Sequence, residues 1–195
     1  MTEASAAGKV ILLGEHAVVY GRPAIAVPVS DLRAVVDVSS LRAEAGILIV
    51  AEDLDQTYGL DQTYESDAAP ALQLTVRNTL RYLSVEIEDQ ALRIVVRSRI
   101  PIARGMGSGT AVATALVRAL AKHYGRHLTP RAVSALVYRT EVILHGTPSG
   151  IDNTVVAFEQ PVHFEKERGA DVLSVGRPFS LLIADTGIQS KTRDA

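Results

Sequence analysis

Residues 105–109 read Gly-Met-Gly-Ser-Gly, and an apolar helical pattern then runs from Thr110 to about Tyr124. No other stretch of the chain restricts the backbone so tightly. Three glycines within five residues allow positive φ and let a ligand approach the main chain. A helix that starts there offers unpaired N–H groups and the positive end of its dipole, which together suit a phosphate. No lysine follows the last glycine, so the segment is not a Walker loop. The glycine spacing is also wrong for a dinucleotide fingerprint, and no acidic residue lies about twenty positions on. Taken alone, such a junction is a plain connector more often than a phosphate cradle.

Composition narrows what else the chain can be. Its 195 residues are 47% hydrophobic, enough for one good core and too few for two large domains. The net charge of −2 argues against a broad nucleic-acid surface, and 5% aromatics with no Trp argue against base-stacking platforms. The absence of Cys excludes disulfides, Cys-ligated zinc and Cys nucleophiles. The first five residues lack a basic stretch, and the apolar run 10–13 is too short for a signal or a membrane span. The expectation is a cytoplasmic protein with neither nucleic-acid nor membrane partners.

Apolar runs and alternation predict strands at 9–13, 24–29, 33–39, 47–50 and 92–96. Over 33–39, Val35, Asp37 and Ser39 face away from Ala34, Val36 and Val38. Residues 52–69 are acidic and polar and read as a surface loop or flap. Pro70 opens a predicted helix to about Leu83, with Leu72, Val76, Leu80 and Leu83 on one face. Thr129 and Pro130 form an N-cap and first-turn pair for a helix over 130–145. Further strands are expected at 154–158, 171–175 and 181–185. Several strands precede the first helix and the order is mixed, which predicts an α+β fold rather than a doubly wound parallel sheet.

Three more clusters accompany the glycine loop. Lys9 is followed by Gly14-Glu15-His16 at a strand end, where either ligand contacts or ordinary surface charges would sit. Glu141 stands four residues after Val137 and three before Leu144, on a largely apolar helix face. Burying a carboxylate there requires a partner, either a cation or a Lys or Arg salt bridge. Residues 145–153, His-Gly-Thr-Pro-Ser-Gly-Ile-Asp-Asn, form a tight turn that delivers Asp152, as a positioned base or as a helix cap. A glycine loop, a helix carboxylate and a positioned Asp together suit phosphoryl transfer. That reaction needs a phosphate cradle, a metal ligand and a group that orients the acceptor hydroxyl.

These segments also carry a resemblance. Residues 8–21, Gly-Lys-Val-Ile-Leu-Leu-Gly-Glu-His-Ala-Val-Val-Tyr-Gly, resemble the N-terminal motif of mevalonate kinases in the GHMP kinase superfamily. Residues 100–109 resemble that superfamily's phosphate-binding motif, and 145–153 the segment carrying its catalytic Asp. Residues 182–187 look like the strand and turn that open the family's second half. Phosphomevalonate kinases usually carry Tyr where His16 stands, so His16 points away from them.

The resemblance implies a role for each matching position. Asp152 would accept the proton of the substrate's 5-hydroxyl, with Lys9 beside it steadying charge as catalytic partners. Glu15 and His16 would contact substrate. Arg104, Gly105, Met106, Gly107, Ser108, Gly109 and Thr110 would hold the ATP phosphates. Glu141 would ligate Mg²⁺, with Ser108 as the companion hydroxyl. The implied activity is ATP- and Mg²⁺-dependent phosphorylation of (R)-mevalonate for isoprenoid precursors, on a fold related to the second domain of ribosomal protein S5. A homodimer stays open, as does a ligand-binding relative without turnover.

Two departures from the family pattern matter. Gly109 stands where the family has a second serine linked to Mg²⁺, so Ser108, Thr110 or water would supply that oxygen. The chain also ends at Ala195, where family members continue into a C-terminal domain. The expectation is an N-terminal, ATP-binding domain over 1–180, with 181–195 opening a second domain. It includes weak or no kinase activity in isolation and an exposed apolar face.

Overall fold

The computed structural model describes residues 1–42, 45–64, 68–145, 147–177 and 179–184. Among the described residues one mixed seven-stranded sheet forms one layer; two of the four α-helices pack directly on it, and the other two pack against those helices. This is the α+β arrangement expected from the strand-first order.

Strand β1 (Thr2–Leu13) runs antiparallel to the 17-residue β2 (Ala24–Ser40). Sequence patterning divides this stretch into two strands, 24–29 and 33–39. The structure keeps one strand with a register shift opposite Ala7 and Gly8. Pro28, which cannot donate to a ladder, lies just before that irregularity. On its other edge β2 pairs first with β6 (Val162–Glu165) and then with β5 (Leu92–Ser98). Beyond β5 come a parallel β3 (Ile47–Ala51) and its antiparallel neighbour β4 (Gln56–Gly59); β7 (Gly169–Val172) flanks β6.

The alternation in 33–39 emerges as expected. Ala34, Val36 and Val38 are fully buried towards the helices. The helices are α1 (Ala68–Tyr82), α2 (Ser108–His123), α3 (Pro130–His145) and α4 (Ile151–Phe158). Helix α2 packs across β1 and β2. Its buried Ala111, Ala115 and Ala119 share the core with Ala6, Ala26 and Ala34 of the sheet. Small side chains on both partners bring the helix backbone close to the strands, and alanine also favours the helix intrinsically. Leu72, Val76 and Leu80 form the buried stripe of α1, as their spacing predicts. The Thr129 hydroxyl accepts a hydrogen bond from the Ala132 N–H at 3.2 Å, capping α3.

Four expectations are corrected. Residues 154–158 are the body of α4, not a strand. Their β-branched run reads as extended, but Gly150 at φ 90° starts a helix, and the Thr154 hydroxyl donates to the Gly150 carbonyl at 2.7 Å. Burial of Val155, Val156 and Ala157 outweighs local propensity. Residues 52–69 are not simply a loop, since a 3₁₀ turn (Glu52–Leu54), β4 and the start of α1 occupy most of the described part. Here Tyr58 is buried and packs edge-on against Tyr64. The strand expected at 171–175 is β7, shifted towards Gly169, and β6 was not anticipated. Residues 181–184 form no strand, and Asp185 with the following Thr186-Gly187 lies outside the described residues, as does Gly146 of the turn before Asp152.

Candidate active site

The glycine loop meets the end of β1 at the N-terminus of α2. Gly105 and Gly107 both adopt φ 70°, and Ala103 also has positive φ. Gly107 is the N-cap of α2, and no side chain caps the helix. The first intrahelical bond runs from the Ala111 N–H to the Gly107 carbonyl at 2.9 Å. The amides of 108–110 therefore have no acceptor within the helix, which is the arrangement an anion requires. Met106, inside the same loop, is instead a core residue, 7% exposed.

Lys9 comes in beneath this loop. Its backbone N–H donates to the Met106 carbonyl at 2.9 Å. Its side chain is only 5% exposed, and Nζ lies 2.9 Å from Oδ1 of Asp152. Asp152 is in the first turn of α4 and is one-third exposed, so the pair sits at a surface opening with the lysine behind and the carboxylate in front. The turn before α4 is set by Gly150 at φ 90°, a backbone conformation that L side chains rarely adopt. Asn153 then ties the helix to α3, donating to the Ser134 hydroxyl at 2.9 Å and the Ser134 carbonyl at 3.2 Å.

Glu141 reaches the same place from α3. Its Oε1 accepts a hydrogen bond from the Thr110 hydroxyl at 2.7 Å. Among the described residues no Lys or Arg pairs with it, which removes the salt-bridge alternative left open by its spacing. Burial pushes its carboxyl up to about 7; the Thr110 hydrogen bond and Lys9 act against that, while the nearby Asp152 charge adds to it. Loop, lysine, aspartate and glutamate, far apart in sequence, thus converge.

The remaining expected residues are placed differently. Thr110, not Ser108, touches Glu141, and Ser108 makes no side-chain hydrogen bond among the described residues. Gly109 lies in the first turn of α2 with open space where a Cβ would be. Arg104 is partly buried at the start of the loop. Glu15 and His16 are exposed beyond the end of β1, where Gly14 turns the chain so tightly that a Cβ would lie 2.4 Å from the Pro23 carbonyl oxygen. His16 does not cap the following turn through its side chain, and holds φ 60°, a strained value for a non-glycine residue. The site elements also expose Leu12, Leu13, Val19, Tyr20, Ile102, Val142 and Ile143.

Sequence reading did not single out Gly8 or Ser134. A Cβ on Gly8 would meet the Met106 carbonyl oxygen at 3.0 Å, so that glycine admits the loop to β1. Gly8 was visible only as part of a motif, and nothing local marks Ser134 as the anchor of Asn153.

A magnesium ion fits these donors. Among the described residues no three His, Cys, Asp or Glu gather as a metal cluster. A site of one carboxylate with hydroxyls suits a cation that keeps its waters and is completed by phosphate oxygens. Glu141, partly buried and with Thr110 as its one hydrogen-bond partner among the described residues, is the carboxylate left short of charge.

Residues 73–160 match the family described as GHMP kinases N terminal domain, in keeping with the fold and the glycine loop. Within that class the chain is similar to mevalonate kinases. It is 35% identical over 201 residues to the mevalonate kinase of Thermococcus sibiricus, covering 98% of this chain and 59% of the relative. Its fold matches the mevalonate kinase of Methanococcus jannaschii with a TM-score of 0.78 at 24% identity, over 89% of this chain and 56% of the other. The L. major mevalonate kinase, solved in complex with R-mevalonate, matches with a TM-score of 0.67 at 25% identity, over 87% and 50%. The chain thus spans somewhat more than half the length of the relatives it matches. No helix among the described residues is long and apolar enough to cross a membrane.

Proposed function

We propose that this chain forms the N-terminal part of a cytoplasmic, ATP- and Mg²⁺-dependent kinase that phosphorylates the 5-hydroxyl of (R)-mevalonate. The observation that carries this reading is the Lys9–Asp152 ion pair lodged against the glycine loop, with Glu141 close enough to feel the Asp152 charge. The similarity to mevalonate kinases, one of them solved with R-mevalonate, supports the acceptor.

Each residue has a chemical task in this reading. The free amides at the start of α2 receive phosphate oxygens, and the helix dipole favours their charge. Asp152 accepts the proton of the acceptor hydroxyl as the oxygen attacks the γ-phosphorus. Lys9 holds the Asp152 carboxylate in place and offsets negative charge gathering between nucleophile and phosphate. Glu141 and Thr110 would hold Mg²⁺, which would supply neutralisation of the phosphate charge. Glu15 and His16, at the mouth of the site, contact the acceptor.

Thermal stabilisation by ligands tests binding even where turnover is slow. Mg²⁺ with ATP should raise the melting temperature, and R-mevalonate should raise it more than phosphomevalonate or galactose. ADP release should follow the same acceptor order, and Asp152→Asn should lower its rate by roughly 10³-fold. Preference for another alcohol would overturn the acceptor assignment. Unchanged turnover in Asp152→Asn would remove the base.

A further inference from the structure

We propose that Gly107 is a positioning residue for Lys9, so that the glycine loop sets the place of the amine as well as the place of the phosphate. The proposal rests on the reading of Lys9 and Asp152 as the reacting pair.

The three loop glycines are not equivalent. Gly105 and Gly107 share φ 70°, so both need glycine for the same conformational reason. A Cβ on Gly105 would meet nothing within 4 Å, and the same holds for Gly109. A Cβ on Gly107 would lie 2.9 Å from Cγ of Lys9, 3.2 Å from Cε and 3.6 Å from Cδ. The contact falls along the stem of the lysine, not at a free end that could swing away.

Neither partner has an easy retreat. Lys9 is fixed at its backbone by the Met106 carbonyl and by pairing of β1 with β2 opposite Pro28. At its other end the amine is fixed on Asp152. Gly107 is fixed because its carbonyl accepts the first hydrogen bond of α2. Gly8 completes the fit from the strand side by admitting the Met106 carbonyl. A methyl group at 107 must therefore push the stem aside and draw the amine off Asp152, or lift the loop away from β1. Either movement alters the distance between the amine and anything bound at the loop.

Amine-selective labelling read by mass spectrometry tests this on the intact chain without requiring turnover. Lys166 is exposed and serves as the internal reference. In Gly107→Ala, Lys9 labelling relative to Lys166 should rise by roughly tenfold or more, because a buried, ion-paired amine becomes accessible. Gly105→Ala imposes the same φ penalty and should leave the ratio within about twofold of wild type. Equal ratios in the two variants would overturn the proposal.

A double-mutant cycle covers the case in which Gly107→Ala folds poorly. Lys9→Ala removes the stem that the new methyl group meets. The melting temperature of Lys9→Ala/Gly107→Ala should fall by clearly less than the sum of the single variants, whereas Lys9→Ala/Gly105→Ala should be additive. If Gly107→Ala does not fold, Lys9→Ala should restore folding. An additive Gly107 cycle, or no rescue, overturns the proposal. Failure of Mg²⁺ with ATP and of R-mevalonate to raise the melting temperature would instead count against the functional reading, and would leave the Gly107–Lys9 contact itself standing.

Discussion

The two ends of α4 treat a buried carboxylate in opposite ways. Beside its first turn, Glu141 has one neutral partner, Thr110, and its carboxyl is pushed up to about 7 by burial. At its C-cap, Glu159 is also partly buried, and burial alone would raise it. There Arg118 and Arg33 donate to the same oxygen at 2.7 and 2.9 Å and hold it below the ordinary range. Arg118 goes on to the carbonyls of Ser5 and Ala157, and Arg33 to the Ser5 hydroxyl, so one carboxylate fastens α2, β1 and β2 to the end of α4. The contrast separates a charge-paired carboxylate from one without a cationic hydrogen-bond partner among the described residues. Glu159 is held by two cations and adds to stability; Glu141 has one neutral hydrogen-bond donor, and its partial burial works against the charged form.

Removing the saturated carboxylate should cost stability. Glu159→Ala leaves two guanidinium groups side by side without their anion. Discounted for partial exposure, the loss should be about 2 kcal/mol, or roughly 4–8 °C in melting temperature. Since the carboxyl is depressed in the folded state, the wild-type contribution is present above the unfolded value and fades as pH falls through the folded one. A change below about 0.5 kcal/mol would mean that the clamp is decorative.

Glu141→Gln should act with the opposite sign. A folded value near 7 against 4.5 for the free group means the folded chain keeps a proton that the unfolded chain has released. Wild-type stability attributable to this group therefore falls as pH rises from about 4.5 to about 7 and stays low above it. The amide mimics the protonated carboxyl, so the variant should be more stable by on the order of 2 kcal/mol at pH 8 and indistinguishable at pH 4. It should also lose the extra stabilisation that Mg²⁺ gives with ATP. Melting curves at pH 4, 6 and 8, with and without the ion, check both halves. A variant less stable than wild type at pH 8 would contradict the contrast.

The same contrast explains what was readable in the sequence. The site was legible because its parts are local signals: a glycine cluster before a helix, a carboxylate on an apolar helix face, an Asp after a tight turn. Their convergence is visible only in three dimensions, and each part alone leaves a second reading open. The clamp has no such signal. Glu159 lies 126 residues from Arg33 and 41 from Arg118, and each reads as an ordinary surface charge. The α4 error has a similar origin. Residues 154–158 have strand-like side chains, and only burial among α2, α3 and the sheet makes them a helix. The α+β class survived that error because it depends on element order, not on any one segment.

The finest test concerns Gly109, where the resemblance places a serine and the structure places nothing. Gly109 is in the first turn of α2, without positive φ, and a Cβ there would touch no other atom within 4 Å. Gly109→Ser should therefore fold normally and gain about 0.5 kcal/mol from reduced backbone freedom. Its functional effect should be small for a reason specific to this chain. The hydroxyl beside Glu141 already comes from Thr110, one residue further along the helix. An added serine should shift the Mg²⁺ concentration for half-maximal stabilisation by less than about threefold, a coupling below roughly 0.7 kcal/mol. Thr110→Val should weaken it more, because the Glu141 oxygen then loses its only donor among the described residues. If instead Gly109→Ser tightens Mg²⁺ tenfold and Thr110→Val changes nothing, Thr110 orients Glu141 without serving the ion, and the under-partnered end of α4 lacks an oxygen as well as a charge.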